Sequence, residues 1–205
     1  MKKIKTLFVI DRHSHLATEQ VVAESAWVLQ GIGLATEKFD GSACLFREGR
    51  LWKRYDRKLR KPFAAKLRAG RLETLDHAMF KSAPDGFAPC EAEPDALTGH
   101  WPGWLPISAA NPEDCWHCEA LEQADGKLIE GQTYELVGPK VQSNRYQLQR
   151  HALWAHGGKI LTPPERLDFH SLRDWMAAQN MEGVVWHAPD GRMAKLRRKD
   201  FGLSW

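Results

Sequence analysis

This chain of 205 residues has no long apolar run near its start. The basic opening Met1-Lys2-Lys3-Ile4-Lys5 leads only into Leu7 to Ile10, too short for a signal-peptide core or a membrane span. Cysteine is scarce: Cys44, Cys90, Cys115 and Cys118 are too few and too unevenly spaced to frame a small disulfide scaffold, so a reducing, cytoplasmic setting is expected. No repeat or low-complexity tract occurs, and proline is absent before Pro62. Lys and Arg are missing from Asp85 to Asp125. What is present is a composition of 43% hydrophobic and 27% charged residues, close to that of globular proteins that fold in water. The length is enough for one ordinary core, which implies a single domain over 1–205.

The net charge of +3 is unevenly distributed, with basic residues dominating Arg47 to Arg71 and recurring at Lys195, Arg197, Arg198 and Lys199. Such clusters suit a polyanion, because Lys and Arg contacts to phosphate supply most sequence-independent affinity for nucleic acid. A solvated basic face would have the same composition.

Patterning predicts a strand at Leu7 to Ile10 and a helix near Glu19 to Gln30, where Val22, Ala26 and Leu29 share a face. Ser42 to Arg47 and Leu51 to Tyr55, flanking Glu48-Gly49-Arg50, read as a β-hairpin. The Pro-, Gly- and Trp-rich stretch Pro84 to Pro112 suggests a loop-rich insertion of about 82–126. Gln132 to Val137 reads as a strand and Ser171 to Gln179 as a helix opened by a Ser171 to Asp174 capping pattern. Gly183 to His187 reads as a buried strand, returned through a turn at Pro189-Asp190-Gly191-Arg192 into Met193 to Arg198. Alternation there sets Lys195 and Arg197 on one face. Two hairpins, further strands and few helices imply an α+β fold built on antiparallel sheet with flanking helices.

Thr36-Glu37-Lys38-Phe39-Asp40-Gly41 resembles the Lys-x-Asp-Gly signature of ATP-dependent ligases and mRNA capping enzymes. Alone it is weak, since a chance match in such a chain arises on the order of a few per cent of the time. Order and spacing strengthen it. Tyr134-Glu135-Leu136-Val137-Gly138 resembles the strand whose Glu contacts the nucleotide ribose; Met181-Glu182-Gly183 resembles the Glu-Gly motif that helps to hold the metal; Lys195-Leu196-Arg197 resembles the Lys-x-Lys motif, with Arg197 at its second basic position. Arg54 resembles the arginine that touches ribose and phosphate after the nucleophile.

These residue types fit one chemistry. A lysine that attacks the α-phosphate of ATP must do so as a neutral amine, a state favoured by burial and nearby positive charge. Glu182, assisted by Asp40, would attract Mg²⁺, for which Mn²⁺ could substitute, and Lys195 and Arg197 would offset charge on the phosphoryl oxygens. Glu37, Gly41, Arg54 and Glu135 complete the expected nucleotide site, and Arg57, Lys58, Arg60 and Lys61 would guide an RNA backbone.

A closer resemblance runs from about Ala35 to Trp205. The stretches TEKFDGSACLF, LWKRYDRK, GHWPGWLPI, CWH, YELVG, EGVVWHAPDG and KLRRKDFGLSW are similar to the short ATP-dependent 5′-to-3′ RNA ligases of animals, within the covalent nucleotidyltransferase superfamily. It implies a monomeric, ATP-grasp-like ligase adenylation domain without an OB-fold domain, joining RNA 5′-phosphate and 3′-hydroxyl ends through a lysyl-AMP intermediate at Lys38 and an adenylylated RNA end. The adenine-stacking residue is expected within His151 to His156. The alternatives are a DNA-end ligase or guanylyltransferase using the same lysine, and a non-catalytic RNA-binding relative. Cys115-Trp116-His117-Cys118 suggests zinc only weakly, because a second ligand pair at tight spacing is missing.

Overall fold

The computed structural model describes residues 3–205; the basic opening Met1-Lys2 lies outside the described residues. In chain order the strands and α-helices are β1 (Lys5–Thr6), β2 (Phe8–Ile10), β3 (Ala17–Val21), β4 (Leu34–Lys38), β5 (Ser42–Arg47), β6 (Arg50–Arg57), α1 (Lys61–Arg68), β7 (Ala88–Pro89), β8 (Trp101–Pro106), α2 (Cys115–Ala124), β9 (Thr133–Val137), β10 (Ala152–Ala155), α3 (Phe169–Ala178), β11 (Gly183–His187) and β12 (Met193–Arg197). The class is α+β: β4–β11, β11–β12, β2–β3, β5–β6, β5–β9, β6–β8 and β7–β8 pair antiparallel and β1–β12 parallel.

Among the described residues the chain forms two compact units, one made of Ile4–Asp40 and Trp154–Trp205, the other of Lys3 and Gly41–Leu153. The first holds a four-stranded sheet ordered β1-β12-β11-β4. One face of that sheet carries Ala35, Val184, Trp186, Ala194 and Leu196, buried with Leu172 and Met176 of α3, Leu7, Phe8, Trp27 and Val28. The alternation of β12, with Ala194 and Leu196 buried and its other three residues half-buried, turns Lys195 and Arg197 to the opposite face.

Sequence patterning met competition at two places. The helix expected over Glu19 to Gln30 is a strand to Val21, paired with β2, followed by a 3₁₀ helix at Ala23–Gln30. Thr18, Val21 and Val22 are β-branched and stiff at χ1, and Val22 is extended, so the first part joins a ladder instead of coiling. The helix expected from Ser171 begins at Phe169, because Asp168 is the cap: its carboxylate accepts the Ser171 N–H at 2.9 Å.

The second unit is built on the β9-β5-β6-β8-β7 ladder. The β5–β6 hairpin turns on Glu48 and Gly49, both at positive φ (56° and 66°), the two-residue geometry that matches strand twist. Within the Pro- and Gly-rich stretch, Trp101 to Leu105 of β8 are buried and pair along β6.

His117 of α2 is buried, and neither ring nitrogen has a hydrogen-bond partner. Burial pushes its pKa below 6.5, against the opposing pull of Asp114. An unfolded chain therefore binds more protons near this pKa, so the contribution of His117 to stability is complete above pH 6.5 and is lost as pH falls through the lower folded value. His117→Phe, which removes two orphan nitrogens whose burial costs about 1–3 kcal/mol each, should equal or exceed wild type in melting temperature at pH 7. It should also lose less stability on acidification; thermal melts across that pH range check both.

Candidate active site

Lys38 ends β4 and stands opposite Gly183 of β11, which in turn stands opposite Arg197 of β12. The next row on the same face is Thr36, Val185 and Lys195. The lysine of the first motif and both basic residues of the last thus share one sheet face, the one turned away from the core cluster. Gly183 is the gap between Lys38 and Arg197. A Cβ there would lie 2.4 Å from the Leu196 carbonyl oxygen, so close backbone approach explains the glycine of the Glu-Gly motif.

Glu182, just ahead of β11, is ion-paired with Lys38, and both side chains are largely buried. The Lys38 Nζ also donates to the Phe39 carbonyl at 3.2 Å. Arg197 is anchored: its Nη2 and Nε donate to Oδ1 of Asp200 at 2.7 and 3.0 Å, and its backbone N–H donates to Oδ2 at 2.9 Å. Asp200 is buried, so the guanidinium is fixed in place with its charge shared by a neighbouring carboxylate.

Glu37 sits elsewhere. Alternation turns it to the face of Val184, where its carboxylate pairs with Lys159 at 2.5 Å. The patterning gave no role to His187, yet it occupies the Lys38 face and its Nε2 lies 3.0 Å from Thr36 Oγ1. Burial, and next the charge of His156, lower its pKa. The period-two pattern of Gly183 to His187 could have placed it there.

In the second unit, Glu135 of β9 is buried opposite Ala43 of β5. Gly41 packs against the same strand, where a Cβ would come within 2.2 Å of the Leu136 carbonyl oxygen and 2.8 Å of the Glu135 Cγ. Gly41→Ala must therefore push backbone apart, with an expected loss on the order of 3 kcal/mol, read as a lower denaturant midpoint.

Arg54 stands opposite Trp104, with its guanidinium 5.7 Å from the ring centroid and its Nε 3.2 Å from Asp56 Oδ1. Of the basic stretch, Arg57 donates to the Lys81 carbonyl at 2.7 Å and Arg60 to the Phe80 carbonyl at 3.2 Å, whereas Lys58 and Lys61 are exposed. A cavity of about 240 Å³ opens here between Arg57, Lys58, Leu59, Leu67, Arg68 and His100.

Within the segment expected to supply a stacking residue, His151 is buried and stacked on Trp116, with centroids 5.7 Å apart. Trp154 meets Phe39 edge-on at 5.0 Å. The described residues contain no group of three or more His, Cys, Asp or Glu side chains able to cage a metal. Nor do they include a helix long and apolar enough to cross a membrane.

Comparison with known proteins gives a consistent outcome. A family model described as RNA ligase 1 matches residues 125–205. RNA ligase 1 of Pongo abelii is 30% identical, over 93% of this chain and 74% of that protein. RNA ligase 1 of Danio rerio is 28% identical over 83% of this chain and 68% of that protein, and that of Mus musculus 28% over 84% and 68%.

Proposed function

This chain belongs to the RNA ligase 1 family, and on that premise we propose that it joins RNA 5′-phosphate and 3′-hydroxyl ends at the expense of ATP. The observation that carries the proposal is the Lys38–Glu182 pair on the face shared with Lys195 and Arg197. In this reading the fold is a nucleotidyltransferase adenylation domain.

Lys38 gives up one proton, to Glu182 or to solvent, and attacks the α-phosphorus of ATP as the neutral amine; a P–N bond forms, the P–O bond to the β-phosphate breaks, and pyrophosphate leaves. The AMP then passes to the 5′-phosphate of an RNA, and a 3′-hydroxyl displaces it to form the phosphodiester. Lys195 and the anchored Arg197 present positive charge to offset the negative charge that gathers on the phosphoryl oxygens, which is the main requirement of phosphoryl transfer. Anchoring by Asp200 serves preorganisation, because a fixed cation need not reorient during the reaction.

Glu182 has two tasks. Without nucleotide it holds the Lys38 side chain in place; with nucleotide its oxygens suit a hard cation. We propose that Mg²⁺, when bound with nucleotide, would be held by one or two carboxylates, with water and phosphate oxygens completing its usual coordination. When bound, Mg²⁺ supplies charge neutralisation at the phosphates, and Asp40 is the second carboxylate proposed to serve it. Glu135, Arg54 and Gly41 are likewise proposed to take part in nucleotide binding. Lys58 and Lys61 would contact the RNA backbone, with Arg57 and Arg60 adding to the field while bonded to carbonyls.

The test is a gel assay of RNA carrying a 5′-phosphate and a 3′-hydroxyl, presented as nicked, hairpin and single-stranded forms with ATP and Mg²⁺. A ligated product is expected, together with a protein–AMP adduct. RNA binding with neither adduct nor product would overturn the proposal in favour of a non-catalytic relative, and an adduct formed from GTP alone would point to guanylyl transfer.

A further inference from the structure

The Cys115-Trp116-His117-Cys118 motif takes no part in the chemistry above. It forms the first turn of α2, so Cys115 and Cys118 stand three residues apart on neighbouring positions of one helix. Both are free thiols; Cys115 is exposed and Cys118 half-buried. Burial, then Asp114, Glu122 and Cys115 itself, raise the pKa of Cys118. The arrangement is asymmetric: an outer sulfur that a dissolved reagent can reach and an inner one that resists ionisation but adjoins the first.

We propose that Cys115 and Cys118 form a reversible dithiol–disulfide site, oxidised by low-molecular-weight disulfides. The deprotonated sulfur of Cys115 attacks one sulfur of the small disulfide. That S–S bond breaks, a mixed disulfide forms on Cys115, and one small thiolate leaves. Cys118 gives its proton to solvent and attacks the Cys115 Sγ, expelling the second small thiolate. The protein loses two protons and two electrons, and one small disulfide becomes two thiols.

Geometry makes this bond reducible. Side chains three apart on a helix have Cβ atoms about 5–6 Å apart, whereas a relaxed disulfide needs about 3.5–4.5 Å. Closure must tighten the first turn, and strained, exposed disulfides are the labile ones. The turn is also connected. Trp116, which follows Cys115 in sequence, stacks on His151, whose Nδ1 lies 2.6 Å from Glu119 Oε2 and whose carbonyl accepts from Gln123 Nε2 at 2.9 Å. His151 packs so closely on Gly138, just past β9, that a Cβ there would lie 2.6 Å from the ring. Tightening the turn therefore acts on the end of the Glu135 strand.

The test equilibrates the full chain with graded ratios of reduced to oxidised glutathione, quenches with acid, alkylates free thiols and maps them by mass. The expected product is two hydrogens lighter, with Cys115 and Cys118 joined and protected from alkylation. Cys118→Ser should stop at a glutathione adduct on Cys115, and Cys115→Ser should form no internal disulfide. Amide exchange over residues 138–151 should differ between the oxidised and reduced forms. Alkylation of both cysteines at every ratio, pairing of either with Cys90, or equal adduct formation at Cys118 in Cys115→Ser would overturn the site. Identical exchange in the two forms would overturn the coupling. None of these readouts requires RNA ligation, so failure here and failure of the ligase assignment are distinguishable.

Discussion

Lys38→Ala, incubated with ATP and Mg²⁺, should gain no AMP, whereas the wild-type chain gains one per molecule by intact mass. The reason is a bond: no other group is proposed to carry the nucleotide. Lys38→Arg is the sharper variant, because it keeps a cation beside Glu182 while the guanidinium stays protonated and so cannot serve as nucleophile. Both variants should therefore fail completely. The pair with Glu182 is largely buried, with side chains 24% and 15% exposed, so Lys38→Ala leaves a carboxylate without its cation and should lower the melting temperature, whereas Lys38→Arg keeps a cation there. An AMP adduct on Lys38→Arg, or on another lysine of the wild-type protein, would sink the assignment.

Glu182→Gln should slow formation of the adduct by about 10²–10³-fold, the range seen when one preorganised electrostatic group is removed from an active site. The substitution keeps the shape and a hydrogen-bond acceptor for Lys38 but removes the charge. If Glu182 serves Mg²⁺, the variant should also require more of the cation for half-maximal rate. If it only holds Lys38, the rate should fall with no change in that requirement. Single-turnover adduct formation, titrated with Mg²⁺, separates the two. A wild-type rate in Glu182→Gln would remove Glu182 from the mechanism.

Local physics made much of the fold legible in advance. Glu48-Gly49 and Pro189-Asp190-Gly191 announced two hairpins, because turn residues act through their own φ and ψ. Alternation set Lys195 and Arg197 on one face, because side chains reverse with every residue of a strand. The boundary errors came where local preference met pairing: Thr18 to Val21 chose the β2 ladder over a helix, and Asp168 captured the cap expected at Ser171. Alternation along β4 separates Glu37 from Lys38, but nothing local could foretell that its partner is Lys159, 122 residues on, since that depends on what closes over its face.

By itself, then, the sequence determined the α+β class, the order of the four motifs and the kinship with RNA ligase 1 proteins, since periodicity, turn chemistry and residue identity are properties of neighbours along the chain. Only the tertiary structure decided that Lys38 meets Glu182, 144 residues away, and that Gly183 stands between Lys38 and Arg197. Register across β4, β11 and β12 is set by burying Ala35, Val184, Trp186 and Leu196 together, and a slip of one residue would have turned every one of these groups to the wrong side.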